Sequence, residues 1–303
     1  MEEKAILFTH MGEYYWEFAR FAPHILWKRI FQYGNKDVKF IGLTRKDRFD
    51  IYGKHVDELC PLEIEGDGVS LSANCHRLDH LSKEKYEKII HNFISECKKK
   101  FNIIEVVTPR IDNTSFKNKN LYKKDQMIYD YVPREDNKKI VNKYVKTDKK
   151  IIVIAPRYRR HTTKRNWPNW QNLYDEIYDK KLYKENTFII CGKSPDYVPD
   201  KDNRFLDINN FEQTEHSSLT GILIEVLKKS SLTVGSQSAI PNISLLFKIP
   251  VLEWGHEMIA HTRTYNLTNT KIVFLEDAEY KLPVKTIVEN MENIIKCQRH
   301  KKF

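Results

Sequence analysis

The feature that most constrains this chain is one pattern written twice. "AILF" (5–8) and "VKFIGL" (38–43) are short apolar runs bounded by polar residues. From Ser82 the residues Tyr86, Ile89, Ile90, Phe93, Ile94 and Cys97 recur at helical spacing, and "IIEVVTP" (103–109) follows as a strand closed by proline. The same alternation restarts at "KIIVIAP" (150–156): a helix over 168–182, the strand "NTFIICG" (186–192), a helix over 218–229, the strand "LTV" (232–234), a helix through "ISLLF", and the strand "IPVLEWG" (249–255). A last amphipathic helix fits 284–297, with Ile287, Val288, Met291, Ile294 and Ile295 on one face. Strand and helix in alternation predict an α/β fold of two successive units. Residues 112–150 are rich in Lys, Asn, Asp and Tyr with little periodicity, so a loop is expected at 112–125 and the boundary near 145. The expected division is 1–145, 146–283 and a terminal helical segment 284–303. No repeat of 20 to 50 residues stands out, which disfavours a solenoid.

Composition decides class and compartment. The 303 residues, 41% apolar and 12% aromatic, suit folded cores rather than disorder. No run of 18 apolar residues occurs, and the acidic "MEEK" start lacks the basic flank of a signal peptide. A soluble, cytoplasmic protein is expected, with a peripheral place at a membrane surface as the second location. The five cysteines are odd in number and lack CxxC spacing, which argues for reduced thiols over a disulfide framework or a zinc ribbon. The net charge is +10, and its clustering matters more than its size. "RYRRHTTKR" (157–165) carries five Lys/Arg and no acid, and 98–124 hold eight against Glu105 and Asp112. Such patches suit a phosphate-bearing ligand; a solvated charged surface is the plainer reading, above all for the second.

Several chemistries fail on spacing. "CGKS" (191–194) imitates the end of a phosphate loop, but Thr187 stands where GxxxxGK[ST] needs glycine. No GxGxxG is present, which removes the nicotinamide-type fingerprint. "HRLDH" (76–80) sets two histidines four apart, yet Arg77 occupies the position of the HExxH glutamate. No GxSxG elbow supports a serine nucleophile.

Three stretches remain, each just after an expected strand, at the edge where open α/β sheets bind ligands. They are "HMGEYYWEFARFAP" (10–23), "APRYRRHTTKRNWPNW" (155–170) and "VGSQSAIPNISLLFKIPVLEWG" (234–255). Together they resemble the bacterial lipopolysaccharide heptosyltransferase family. Met11, Gly12, Glu13 and Pro23 match its Met-Gly-Asp turn and the proline near the end of the following helix. Lys164, Arg165, Asn166, Trp167 and Pro168 match a basic loop ending in Trp-Pro. Gly235, Ser236, Gln237, Ser238, Ala239 and Asn242, then Ile249, Pro250, Val251 and Gly255, match a late Gly-x-Asp-[ST]-Gly-x-x-His loop and its strand. Gln237, Ala239 and Asn242 depart from that pattern at Asp, Gly and His, so the donor contacts of this loop are altered.

The resemblance implies the GT-B fold, two Rossmann-like domains facing a cleft with a C-terminal helix crossing back. It also implies an N-terminal acceptor domain, a C-terminal donor domain and sugar transfer from a nucleotide-activated donor without metal. Elementary chemistry assigns the roles: inverting transfer needs a base for the acceptor hydroxyl and positive groups for the leaving diphosphate. Glu13 is the expected base, its alternative being a first-turn helix carboxylate; Asp47, Asp50 and Asp112 come next. Arg157, Arg159, Lys164 and Arg165 are expected at the diphosphate. Gly12, Tyr14, Gly192, Ser236, Gln237, Ser238 and Ala239 complete the substrate-binding set, with an ordinary helix cap as the alternative at 236–238. Trp167 and Trp170 are read as core rather than as sugar platforms. No cofactor beyond the donor substrate, no metal and no obligate protein partner are expected. The acceptor expected is a saccharide or glycolipid. The alternatives are a hydroxylated base in DNA as with phage-type enzymes, a nucleotide-sugar epimerase, or a non-catalytic nucleic-acid-binding protein.

Overall fold

The computed structural model describes residues 3–12, 14–34, 36–62, 83–108, 124–158, 165–192, 205–257 and 266–299. Among them ten strands make two sheets in which every pairing is parallel. The chain divides into two compact units. Unit 1 is Met1–Glu135 with His216–Gly221, and unit 2 is Asp136–Glu215 with Ile222–Phe303.

Unit 1 is built on strands β1 (Lys4–Thr9), β2 (Lys39–Thr44), β3 (Glu58–Pro61) and β4 (Asn102–Val107), ordered β3-β2-β1-β4. The chain steps outward from β1 to β3 and then returns to the other side of β1 for β4, so the strand order reverses between β1 and β4. The ladder of β1 with β2 runs in register from Ala5 opposite Lys39 to Thr9 opposite Leu43, and that with β4 slips once, between Ala5 and Ile6. Ala5 and Leu7 pack with Met11, Ile41, Leu43, Leu62, Phe93 and Cys97, the last two from the helix Lys83–Lys98.

Unit 2 holds β5 (Lys150–Ala155), β6 (Asn186–Ile190), β7 (Phe205–Asp207), β8 (Ser230–Ser236), β9 (Val251–Gly255) and β10 (Ile272–Glu276), ordered β10-β9-β8-β5-β6-β7. Read from β7, this is the 3-2-1-4-5-6 order of a doubly wound nucleotide-binding sheet, and its reversal lies between β5 and β8. Ile152, Ile154, Phe188, Leu232, Val234, Leu252 and Trp254 of the sheet pack against Trp170, Leu173, Tyr174 and Ile177 of the helix Trp170–Asp179. The terminal helix Val284–Arg299, drawn from the sequence as crossing back, is counted within unit 2, where Ile287, Val288, Met291, Ile294 and Ile295 join this core.

The strands read from apolar runs form within a few residues of the expected limits. Others carry weaker signals: β3 is "ELCP", β7 is three residues, and the helix Glu135–Tyr144 buries only Asn137, Ile140 and Val141. That helix belongs with unit 2: Lys143 pairs with Glu212 at 3.0 Å, and Tyr144 stacks on Phe211 at 4.5 Å. The division therefore falls at 135/136 rather than near 145. Most of the expected loop at 112–125 lies outside the described residues.

Candidate functional site

The turn that leaves β1 stands at the carboxyl edge beside the reversal of strand order, and Thr9, His10, Met11 and Gly12 are all buried there. Glu13, the expected base, lies outside the described residues, as do Arg159, Lys164 and Asp112. The helical run that follows is a turn of α-helix (Tyr14–Trp16), a π-helical stretch (Glu17–Phe21), α-helix again (Ala22–Trp27) and a second π stretch (Lys28–Gln32). The Ala22 N–H bonds the Glu17 carbonyl five residues back. Pro23, which has no N–H to place, follows where the register changes.

Glu17 was not singled out from sequence, yet it is the hub of this edge. Its carboxylate is fully buried, 2.5 Å from Arg48 Nη1, and accepts from Thr44 Oγ1 (2.6 Å) and Tyr52 Oη (2.8 Å). Arg48 Nη1 also donates to the Gly12 carbonyl at 3.0 Å, while the Gly12 N–H donates to His10 Nδ1 at 3.2 Å. Burial alone would raise the Glu17 pKa, but the charge of Arg48 above all, with the bond from Thr44, holds it down to about 2. Burial lowers that of His10, against the pull of Glu17. A carboxylate so fully paired is a counter-ion and not a base.

The other expected groups of unit 1 are also engaged. Tyr14 donates its hydroxyl to Thr220 Oγ1 at 3.3 Å, and burial raises its pKa. Asp50 is buried and bound by the Arg134 side chain and by Ser218, which removes it as a free base; Asp47 is paired with Arg45.

In unit 2, β5 and β8 run side by side with Ala155 opposite Gly235, so Arg157 and Ser236–Ser238 follow neighbouring strands out of the sheet at its reversal. Arg157 is buried and its Nη1 donates to Asn166 Oδ1 at 3.2 Å; Arg165 is exposed. Ala239 opens the helix Ala239–Leu246, and Ser238 occupies its N-cap without capping it. The hydroxyls of Ser236 and Ser238 and Oδ1 of Asn242 are buried with no hydrogen-bond partner among the described residues. Asn242 is oriented by its Nδ2, which donates to the Ser238 carbonyl at 2.7 Å.

Gln237 is spent differently. Its Nε2 donates to the His256 carbonyl (2.7 Å), and its Oε1 accepts from the His256 N–H (3.1 Å) and from the Tyr280 hydroxyl (2.5 Å). It braces the ends of β8 and β9 instead of offering a free amide, and a Cβ on Gly255 would meet its side chain at 2.6 Å. Burial raises the Tyr280 pKa, opposed first by a backbone hydrogen bond at His256 and then by the charges of Arg165 and Arg157. Gly192 serves close packing: a Cβ there would lie 2.5 Å from the Pro156 carbonyl oxygen. Trp167, Trp170 and Trp254 are fully buried in mutual contact at 5.0–5.3 Å, and Trp167 Nε1 donates to the Leu282 carbonyl, so the core reading of the first two holds.

No family model and no curated protein matches the sequence. Solved structures do match. A glycosyl transferase family 9 protein from Veillonella parvula DSM 2008 superposes with a TM-score of 0.57 at 9% identity, over 97% of this chain and 98% of that one. The E. coli ADP-heptose lps heptosyltransferase II gives 0.56 at 8%, over 98% and 99%. E. coli heptosyltransferase WaaC with ADP-2-deoxy-2-fluoro heptose gives 0.53 at 9%, over 95% and 99%. The chain has the GT-B fold. At such identities the likeness is one of fold, and it agrees with the resemblance carried by the three short stretches. Each unit of this GT-B chain thus gathers polar groups where its own strand order reverses. Among the described residues no cluster of three or more His, Cys, Asp or Glu could hold a metal ion, and no helix is long and apolar enough to cross a membrane.

Proposed function

We propose that the chain is a nucleotide-sugar-dependent glycosyltransferase that moves a sugar, with inversion and without metal, to a hydroxyl of a saccharide or glycolipid. Unit 2 takes the donor and unit 1 the acceptor. The observation that carries the reading is the uncommitted polar set at the reversal in unit 2. Ser236, at the end of β8, and Ser238, at the N-cap of the following helix, hold buried hydroxyls without partners among the described residues, next to the strand that leads to Arg157. Two hydroxyl donors, the N–H groups of a helix start and a guanidinium are what a diphosphate requires. Asn242 Oδ1 can only accept, which suits a sugar or ribose hydroxyl.

In the reaction the acceptor oxygen attacks the anomeric carbon as the bond from that carbon to the phosphate oxygen breaks. The acceptor proton passes to the base, for which Glu13, next in sequence to the buried Gly12, is proposed. The negative charge that develops on the departing diphosphate is met by Arg157, Arg165, Lys164 and the Ser236–Ala239 loop. Equilibrium binding and hydrolysis of UDP-, GDP-, ADP- and CMP-sugars test this. One nucleotide should bind and turn over, and Ser236→Ala with Ser238→Ala should weaken it by about 10- to 100-fold for each hydroxyl lost, the worth of a hydrogen bond to a charged group. If none of the four binds, or the double variant binds unchanged, the reading is wrong.

A further inference from the structure

We infer that Glu17 and Arg48 are positioning residues that fix the β1 turn through the Gly12 carbonyl. The inference deepens the glycosyltransferase reading and rests on it for its catalytic meaning. Its structural claim stands on unit 1 alone.

The carboxylate of Glu17 collects donors from three segments. Thr44 comes from the end of β2, Arg48 from the turn before the short helix Phe49–Tyr52, and Tyr52 from that helix, while His10 of the turn after β1 lies alongside with its Nδ1 3.4 Å from Oε2. Arg48 is 2% exposed and Glu17 not at all. A buried ion pair is poor value as a source of stability, since apolar residues of similar volume often do as well or better. What an apolar pair cannot do is hold a backbone carbonyl. Arg48 Nη1 is shared between Glu17 and Gly12 O, so the carboxylate fixes the guanidinium and the guanidinium fixes the peptide that joins Gly12 to residue 13. The other side of the turn is held as well, by the Gly12 N–H on His10 Nδ1. The π-helical stretch that begins at Glu17 changes how residues follow one another around the helix at this carboxylate, a feature that recurs at functional sites. Nothing local in "YYWEFARF" singles out this glutamate, because its partners Thr44, Arg48 and Tyr52 lie 27, 31 and 35 positions away.

Three variants separate positioning from packing. Glu17→Gln leaves the Arg48 charge without its counter-ion and should lower both melting temperature and turnover. Glu17→Gln with Arg48→Met removes both charges and the bond to Gly12. Its melting temperature should return to near that of the wild type, while amide exchange in the 8–16 peptide stays at least 10-fold faster and kcat for nucleotide-sugar hydrolysis at least 10-fold lower, with donor KM changed by less than 3-fold. Tyr52→Phe, which loses one hydroxyl bond to Glu17, should show the same effects in smaller measure and secures the comparison if the double variant does not fold. A double variant that regains wild-type exchange, or regains kcat together with stability, would overturn the inference, as would unchanged exchange in Tyr52→Phe. Absence of hydrolysis by the wild-type protein with UDP-, GDP-, ADP- and CMP-sugars would instead count against the glycosyltransferase reading, and the exchange measurements would still decide the positioning claim.

Discussion

Asp50→Asn should cost unit 1 about 2–4 kcal/mol at neutral pH, a figure that follows from the four bonds its carboxylate accepts. Oδ1 takes the Arg134 backbone N–H (2.9 Å) and Nε (3.0 Å), while Oδ2 takes Arg134 Nη2 (2.8 Å) and the Ser218 hydroxyl (2.5 Å). An amide keeps one oxygen for the first pair and turns an NH2 toward the second. The Nη2 bond is then lost outright, at about 1.5–3 kcal/mol for a charged hydrogen bond. The Ser218 bond has to reverse while that hydroxyl goes on accepting the Gly221 N–H at 3.0 Å. Arg134 is 32% exposed and recovers part of its loss from water, which keeps the total below that of a fully buried pair. The pH dependence supplies an internal check. Burial would raise the Asp50 pKa, but the bonds from Arg134 and Ser218 and the Arg134 charge leave it lowered. A depressed folded pKa gives stability that is present above the ordinary aspartate value and lost as pH falls through the folded one. Wild type and variant should therefore converge at acid pH. Urea titration read by pulsed hydrogen exchange, with peptides over 39–44 for unit 1 and 150–155 for unit 2, measures this. A neutral-pH gap below about 0.5 kcal/mol, the size of an ordinary surface substitution, or a gap that persists undiminished at acid pH, refutes the account.

Trp254→Ala should destabilise unit 2 by about 3–5 kcal/mol, the usual cost of emptying an aromatic site in a core. Trp254→Phe should cost much less because its indole N–H has no partner among the described residues; the same urea titration, followed at 150–155, ranks the two. Gln237→Ala should cost about 2–3 kcal/mol from three lost bonds and should speed exchange at the His256 amide, which would keep its protection if Gln237 were not the brace.

The sequence was legible where the chemistry is local. Apolar runs such as "KIIVIAP" become the inner strands of fully covered parallel sheets, so their burial pattern is continuous and hard to mistake. The helix Glu135–Tyr144 was missed because so few of its residues face a core, and β3 because "ELCP" ends in proline and lacks branched residues. Residues whose meaning depends on distant partners could not be read at all. Glu17 and Arg48 lie 31 positions apart, and only the side-by-side placement of β1 and β2 brings them together.

Gln237 shows how a matched position can change its work. In the resembled pattern an Asp stands here, and the natural reading is that Gln237 touches the donor with an altered group. Yet both polar atoms of its amide are consumed by His256 and Tyr280, and Gly255 leaves room for the side chain to lie across the end of β9. An aspartate could not replace it there: it is one methylene shorter and has no N–H for the His256 carbonyl. In the proposed donor site, contact at this loop therefore falls to the neighbours, to Ser236 and Ser238 as donors and to Asn242 as an acceptor, none of which has a partner for that atom among the described residues. A neutral set of this kind would meet a diphosphate without the repulsion that a carboxylate would bring. In the same proposal positive charge is left, among the described residues, to Arg157 and Arg165 of the basic cluster at 157–165.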